Sequence, residues 1–168
     1  MKRIVLSLLL SWYSLVSLAV AASVESEKRE IASPDGTLVA EILSRMAQFT
    51  EDTVKIVSRE SGSHAEFSMT SENGANGRNV LKAQWSPDSK FFAFSTFSSG
   101  GHSGWNFRTF VYSVDANKFA SVDEKVRPVT DKDFTLISPH SLQVETLNPL
   151  GIDFPSFKRT TNLVTLFH

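Results

Sequence analysis

The sequence predicts an all-β chain whose antiparallel sheets stack as about three units. Three observations carry this: a recurring proline corner, an apolar alternating strand after each corner, and a glycine-broken connection between the two most apolar strands. The corners are Ser33-Pro34-Asp35-Gly36 before TLVAEI, Ser86-Pro87-Asp88-Ser89 before KFFAFS, and Ser138-Pro139-His140-Ser141 before LQVETL, with prolines 53 and 52 residues apart. One short phrase at near-equal intervals marks a stacked repeat. Ser, a φ-restricted Pro, Asp and Gly in succession suit a type I turn between strands. A β-sandwich is the alternative that the same strands allow.

Residues 1–22 read as a secretory signal peptide, with Lys2 and Arg3 at the start, an uncharged run from Ile4 to Ala22, and Ala19-Val20-Ala21 offering small residues for cleavage after Ala21 or Ala22. The run is 19 residues long, so an uncleaved anchor is the competing reading. Four serines within it and the Ala-x-Ala ending favour removal. Residues 23–168 then form a single β-rich domain, with repeat units at about 29–75, 80–127 and 130–168.

In the first unit, Val39, Ile42, Leu43 and Met46 also match helical spacing, but alignment with the other corners requires a strand. Residues 71–79, with two Asn-Gly steps, form a turn-rich connector, read as a solvated linker in preference to a mobile binding loop. In the second unit, Phe92 and Phe94 share one strand face while Phe91, Ala93 and Phe97 share the other, so both faces require burial. In the third, Leu142, Val144 and Thr146 oppose Gln143 and Glu145, the pattern of a strand with one wet side. A sandwiched middle unit and a capping last unit account for that difference. The tail predicts a final strand at Leu163–Phe167.

Composition excludes several functional classes. Without Lys2 and Arg3 the chain has 15 basic and 18 acidic residues, a mildly acidic balance with no basic run for nucleic acid. There is no cysteine and no Asn-x-Ser/Thr acceptor, which fits a bacterial envelope protein folded by its core alone. His64, His102, His140 and His168 are dispersed, with no HxH or HExxH pair, and Asp131-Lys132-Asp133 is followed by Leu136 where a calcium loop requires Gly. No metal or cofactor is predicted.

The segments SPDGTLVA and WSPDSKFFAFS, with FVYSV at Phe110–Val114 as an outer strand, resemble the TolB-type β-propeller repeat. The resemblance covers about one blade well, from Leu81 to Lys118, and parts of two others. Ser89 stands where the repeat has Gly, His140 where it has Asp, and only Trp85 supplies the corner tryptophan. It implies propeller-like blades, but a ring needs four to eight of roughly 40–45 residues each, and this length supplies about three. An open stack, a ring completed by other copies and a sandwich all remain open.

The candidate site is the connection Ser98–Asn106, SSGGHSGWN. Gly100, Gly101 and Gly104 allow backbone angles closed to other residues and carry His102, Ser103 and Trp105 on a tip, with Arg108 at the base as a forked donor for a carboxylate. An imidazole and an indole suit recognition of a peptide, a sugar or a protein. The competing reading is a long hairpin in which Trp105 covers the edge of the Phe core and His102 is solvated. A serine hydrolase is excluded because Gly101-His102-Ser103-Gly104-Trp105 lacks the second glycine of GxSxG.

The expected function is an exported, non-catalytic binding or assembly module of the bacterial envelope, periplasmic or secreted. Its partner would be a protein or peptide, with no nucleic acid and no stable membrane insertion after cleavage; a homo-oligomer is an open option. The alternative is a small envelope enzyme, or an enzyme inhibitor, with a site around His102.

Overall fold

The computed structural model describes residues 26–46, 48–100, 107–151 and 155–168, the side chain of Ser63 excepted. Every long element among them is a strand, and the strands form three antiparallel sheets that stack in chain order. The first sheet holds β1 (Ser26–Ala32), β2 (Leu38–Met46), β3 (Thr50–Ser58) and β4 (Gly62–Ser68). The second holds β5 (Arg78–Trp85), β6 (Phe91–Ser98), β7 (Phe107–Ser113) and β8 (Lys118–Ser121). A short helix, α1 (Asp123–Val126), leads to the third sheet of β9 (Val129–Ser138), β10 (Ser141–Thr146) and β11 (Phe157–Asn162). Each sheet is an up-and-down meander, and the arrangement is three blade-like layers in an open stack rather than a two-sheet sandwich. No helix among the described residues is long and apolar enough to cross a membrane.

Strand burial explains the layering. Phe92 and Phe94 of β6 pack with Leu38, Ala40, Ile42, Val54 and Ile56 of the first sheet, while Phe91 and Ala93 face Val129, Phe134, Leu142 and Val144 of the third. The middle sheet is therefore apolar on both faces. In β2, Leu38, Ala40 and Ile42 alternate inward and the strand pairs with β1 and β3 on either side, which overrides its helical spacing. The outer faces are polar. On the first sheet Glu30, Glu41, Lys55 and Glu66 stand in one cross-strand row, with Lys28 bridging Glu30 and Glu41 at 2.7 and 2.6 Å and Lys55 on Glu66 at 3.0 Å. On the third, Thr135, Gln143 and Thr160 are aligned and Glu145 lies opposite Lys158.

All three proline corners join the first and second strands of their sheets. In the first two copies the same bonds recur: the Ser33 and Ser86 hydroxyls each donate to the Asp two residues on at 2.6 Å, and each accepts from the N–H five residues on, Leu38 and Phe91, at 3.0 Å. Gly36 has φ +75° and Ser89 has φ +62°, so the left-handed position survives the loss of glycine. The third corner is tighter, with Ser138 paired directly to Ser141 and a register shift after it.

The residues that depart from the repeated phrase are the ones that tie the corners together. Ser89 Oγ accepts the Asp35 N–H at 3.0 Å, and His140 Nε2 lies 3.0 Å from Asp88 Oδ2. Trp85, present in one copy only, donates its indole N–H to Ile31 O of the first sheet at 2.9 Å.

The tail differs from expectation. The last strand is Phe157–Asn162, and Val164–Phe167 forms a 3-10 turn. Asn162 Oδ1 accepts the Val164 N–H at 2.9 Å and Thr165 Oγ1 donates to Asn162 O at 2.8 Å, which curls the chain so that Leu163 and Leu166 enter the core beneath the third sheet.

Candidate functional site

At the end of the stack opposite the proline corners lie the β2–β3, β6–β7 and β10–β11 connections and the crossings between sheets. Of the predicted site, Gly101, His102, Ser103 and Trp105 lie outside the described residues, whereas Gly100 and Arg108 lie within them. Gly100 serves close packing: a Cβ there would collide with the Ala75 carbonyl. That is a different role from the backbone freedom expected of it.

The root of the β6–β7 connection is held by Glu51, a fully buried carboxylate at the start of β3. It accepts the Ser71 N–H at 2.7 Å, the Ser71 hydroxyl at 2.6 Å, the Gly77 N–H at 2.5 Å and the Ser99 hydroxyl at 3.1 Å. Burial pushes its pKa up, but these donors outweigh it and hold the carboxyl below the usual range. A Cβ on Gly77 would strike the Glu51 carboxyl and Met69 O. The 71–79 connector is thus folded around a buried anion, where sequence predicted a solvated linker. A β-strand pattern cannot reveal this, because Glu51 lies on the outward face and is buried only by the chain that returns over it.

Between the second and third sheets a cleft of about 530 Å³ opens at this end, lined by Phe107, Arg108, Ser121, Asp123, Glu124, Pro128 and Leu147. Its walls come from three separate connections: the start of β7, the β8–β9 crossing with α1, and the residue after β10. Asp123 is a fastener. Its two carboxylate oxygens accept the Thr109 N–H at 2.9 Å and the Val129 N–H at 3.0 Å, joining β7 to β9 through α1. Leu147 is set by its N–H donating to Pro128 O at 3.0 Å.

The charges at the cleft are not mutually cancelled. Arg108 is exposed and forms no ion pair with any described carboxylate within 4 Å, and neither does Glu124. Arg78, at the start of β5, donates from Nε to Thr96 Oγ1 at 2.8 Å, and Thr96 Oγ1 donates to Arg108 O at 3.2 Å. Burial, and then the positive charge of Arg108, bring the Arg78 pKa down to about 10, against the opposing pull of Asp123. Two guanidinium groups therefore lie within electrostatic reach of each other.

Of the cleft lining, the sequence singled out Arg108, as the base of the Ser98–Asn106 connection, and not Asp123, Glu124, Pro128 or Leu147. The acidic pair opening DEKV was the nearest signal, and nothing local connects it to Leu147 in another sheet. The histidines do not converge among the described residues: His64 Nδ1 lies 3.1 Å from the Tyr112 hydroxyl and 3.0 Å from Asn117 Oδ1, while His140 sits at the opposite side of the middle sheet on Asp88.

No family model matches the chain, and no curated protein is similar to it. Solved structures are similar to it, two among them as follows. One is the β-propeller domain of the Trilobed protease from Pyrococcus furiosus, which has an open velcro topology, at 13% identity and a TM-score of 0.48, covering 83% of this chain and 40% of that one. The other is described as a dipeptidyl aminopeptidase IV from Bacteroides ovatus, at 12% identity and a TM-score of 0.47, covering 82% and 23%. This chain spans less than half the length of either.

Proposed function

We propose that this chain is a non-catalytic binding module of the bacterial cell envelope, built of TolB-like blades, that holds an extended peptide or protein segment in the cleft between its second and third sheets. The observation that carries the reading is the cleft itself. It combines the apolar walls of Phe107, Pro128 and Leu147 with charged groups of both signs that are not paired to each other, the composition of a site for a chain with apolar side chains and a polar backbone. Met46, Phe49 and Leu150 are exposed at the same end of the stack, at 50%, 43% and 71%, and extend the apolar surface available to a partner. The hydrogen-bond pattern common to the first two proline corners supports the TolB-like reading of the repeat. The leader at residues 1–22 supports export to the periplasm or beyond. The charged outer faces support an open stack that works without ring closure by other copies.

The test is fluorescence polarisation of N-terminally labelled random hexapeptides with the protein produced from the full chain. Saturable binding is expected, and Leu147→Ser, with its fold checked by circular dichroism, weakens it roughly tenfold through lost apolar burial of about 1–1.5 kcal/mol. A folded wild-type protein that binds no peptide refutes the reading. Mass spectrometry of protein recovered from the envelope fraction is expected to find the chain starting after Ala21 or Ala22; an intact leader refutes the export assignment.

A further inference from the structure

We infer that the cleft reads a free carboxylate at the end of its peptide through the guanidinium of Arg108. This rests on the cleft being the peptide site and specifies which part of the ligand it recognises.

Among the described residues Arg108, Asp123 and Glu124 are the ionisable groups that line the cleft, and Arg78 lies within electrostatic reach of Arg108. Asp123 is committed to the scaffold, each of its carboxylate oxygens accepting a backbone N–H, at 2.9 and 3.0 Å, that joins β7 to β9. Arg78 is half-buried and held on Thr96 by its Nε at 2.8 Å, with Nη2 3.4 Å from Thr96 O. It contributes field rather than contact. Arg108 is the exposed cation among the lining residues, and no described carboxylate lies within 4 Å of it. A second guanidinium close behind it leaves the local potential positive, and an anion placed on Arg108 relieves that like-charge repulsion.

The same inventory selects the kind of anion. Arg108 is the one exposed cation lining the cleft among the described residues, so a singly charged anion matches it better than a doubly charged phosphate. A single carboxylate matches one planar guanidinium through paired N–H donors. Glu124 of α1, exposed in the same lining, supplies an acceptor for a peptide N–H, and Phe107, Pro128 and Leu147 offer apolar surface to the last side chains. A peptide ending in a free carboxylate satisfies all three features together.

The experiment compares two pools of fluorescein-labelled random hexapeptides, identical except that one ends in a free carboxylate and the other in an amide, against the protein produced from the full chain. The free-acid pool is expected to bind roughly 10- to 100-fold tighter, the range of one or two charge-assisted hydrogen bonds. Arg108→Gln is expected to reduce free-acid binding to the level of the amide pool, abolishing the preference between the two. Equal affinity of wild type for both pools overturns this inference while the peptide-binding reading stands. A free-acid preference that persists in Arg108→Gln overturns the assignment to this residue. No binding of either pool by folded protein overturns both proposals.

Discussion

Ser89 offers a sharp test of how the stack is joined, because two effects of known sign meet in one residue. Its backbone sits at φ +62°, a left-handed conformation that disfavours an L side chain by roughly 1–2 kcal/mol. Its hydroxyl accepts the Asp35 N–H at 3.0 Å from the neighbouring sheet, a bond contributing about 0.5–1.5 kcal/mol net. Ser89→Ala keeps the strain and removes the bond, so it is expected to lose about 1 kcal/mol, a few degrees in melting temperature. Ser89→Gly removes both the strain and the bond and adds roughly 0.5–1 kcal/mol of unfolded-state entropy, so the terms nearly cancel and stability stays within about 1 kcal/mol of wild type. The assay is urea denaturation of wild type and both variants at neutral pH, followed by tryptophan fluorescence and circular dichroism. The expected order is Ala least stable, with Gly at or near wild type. An alanine variant as stable as wild type refutes the inter-sheet bond, and a glycine variant less stable than alanine refutes the strain.

Two further outcomes concern the buried acids of β3. Glu51→Gln is expected to destabilise by roughly 2–4 kcal/mol, because the amide keeps one acceptor oxygen and must turn its NH2 toward either the Ser71 N–H or the Gly77 N–H, which the carboxylate accepts on separate oxygens. Its carboxyl is depressed from the ordinary 4.5, so this stabilisation is present above that value and fades as pH falls through the folded-state value; acid titration of the two proteins should therefore show their stabilities converging at low pH. Asp52 has the opposite sign. Burial raises its pKa above the ordinary 3.8, despite the Val80 N–H donated to Oδ2 at 2.6 Å and the opposing pull of the Ser44 hydroxyl. Its contribution is complete below 3.8 and is lost as pH rises through the folded-state value, so Asp52→Asn is expected to be more stable than wild type at pH 7 and equal to it near pH 3, read by denaturation midpoints across that range.

Much of the architecture was legible because it depends on short-range pattern. A period of two with apolar residues on both faces marks β6 as a middle layer, and Leu142, Val144 and Thr146 against Gln143 and Glu145 mark β10 as a capping one. The proline corners were readable for the same reason, since a turn is decided by four consecutive residues. The tail misled the strand reading because Leu163–Phe167 is apolar enough for a strand, while the Asn162 cap that curls it acts through one side-chain bond. Of the residues singled out in the sequence, Arg108 lines the cleft, Gly100 packs on the Ala75 carbonyl away from its lining, and Gly101, His102, Ser103 and Trp105 lie outside the described residues.

Taken alone, the sequence determined that the chain would form strands, where three of its corners would fall, and which sheet would be buried on both faces, because each of these follows from neighbours within a few residues. Tertiary structure decided that Glu51 is buried, that Ser89 and His140 join separate sheets, and that Arg108, Glu124, Pro128 and Leu147 share one cleft. Those groups are brought together by the stacking of sheets whose residues are tens of positions apart, and burial, hydrogen-bond commitment and charge balance are properties of that assembled neighbourhood.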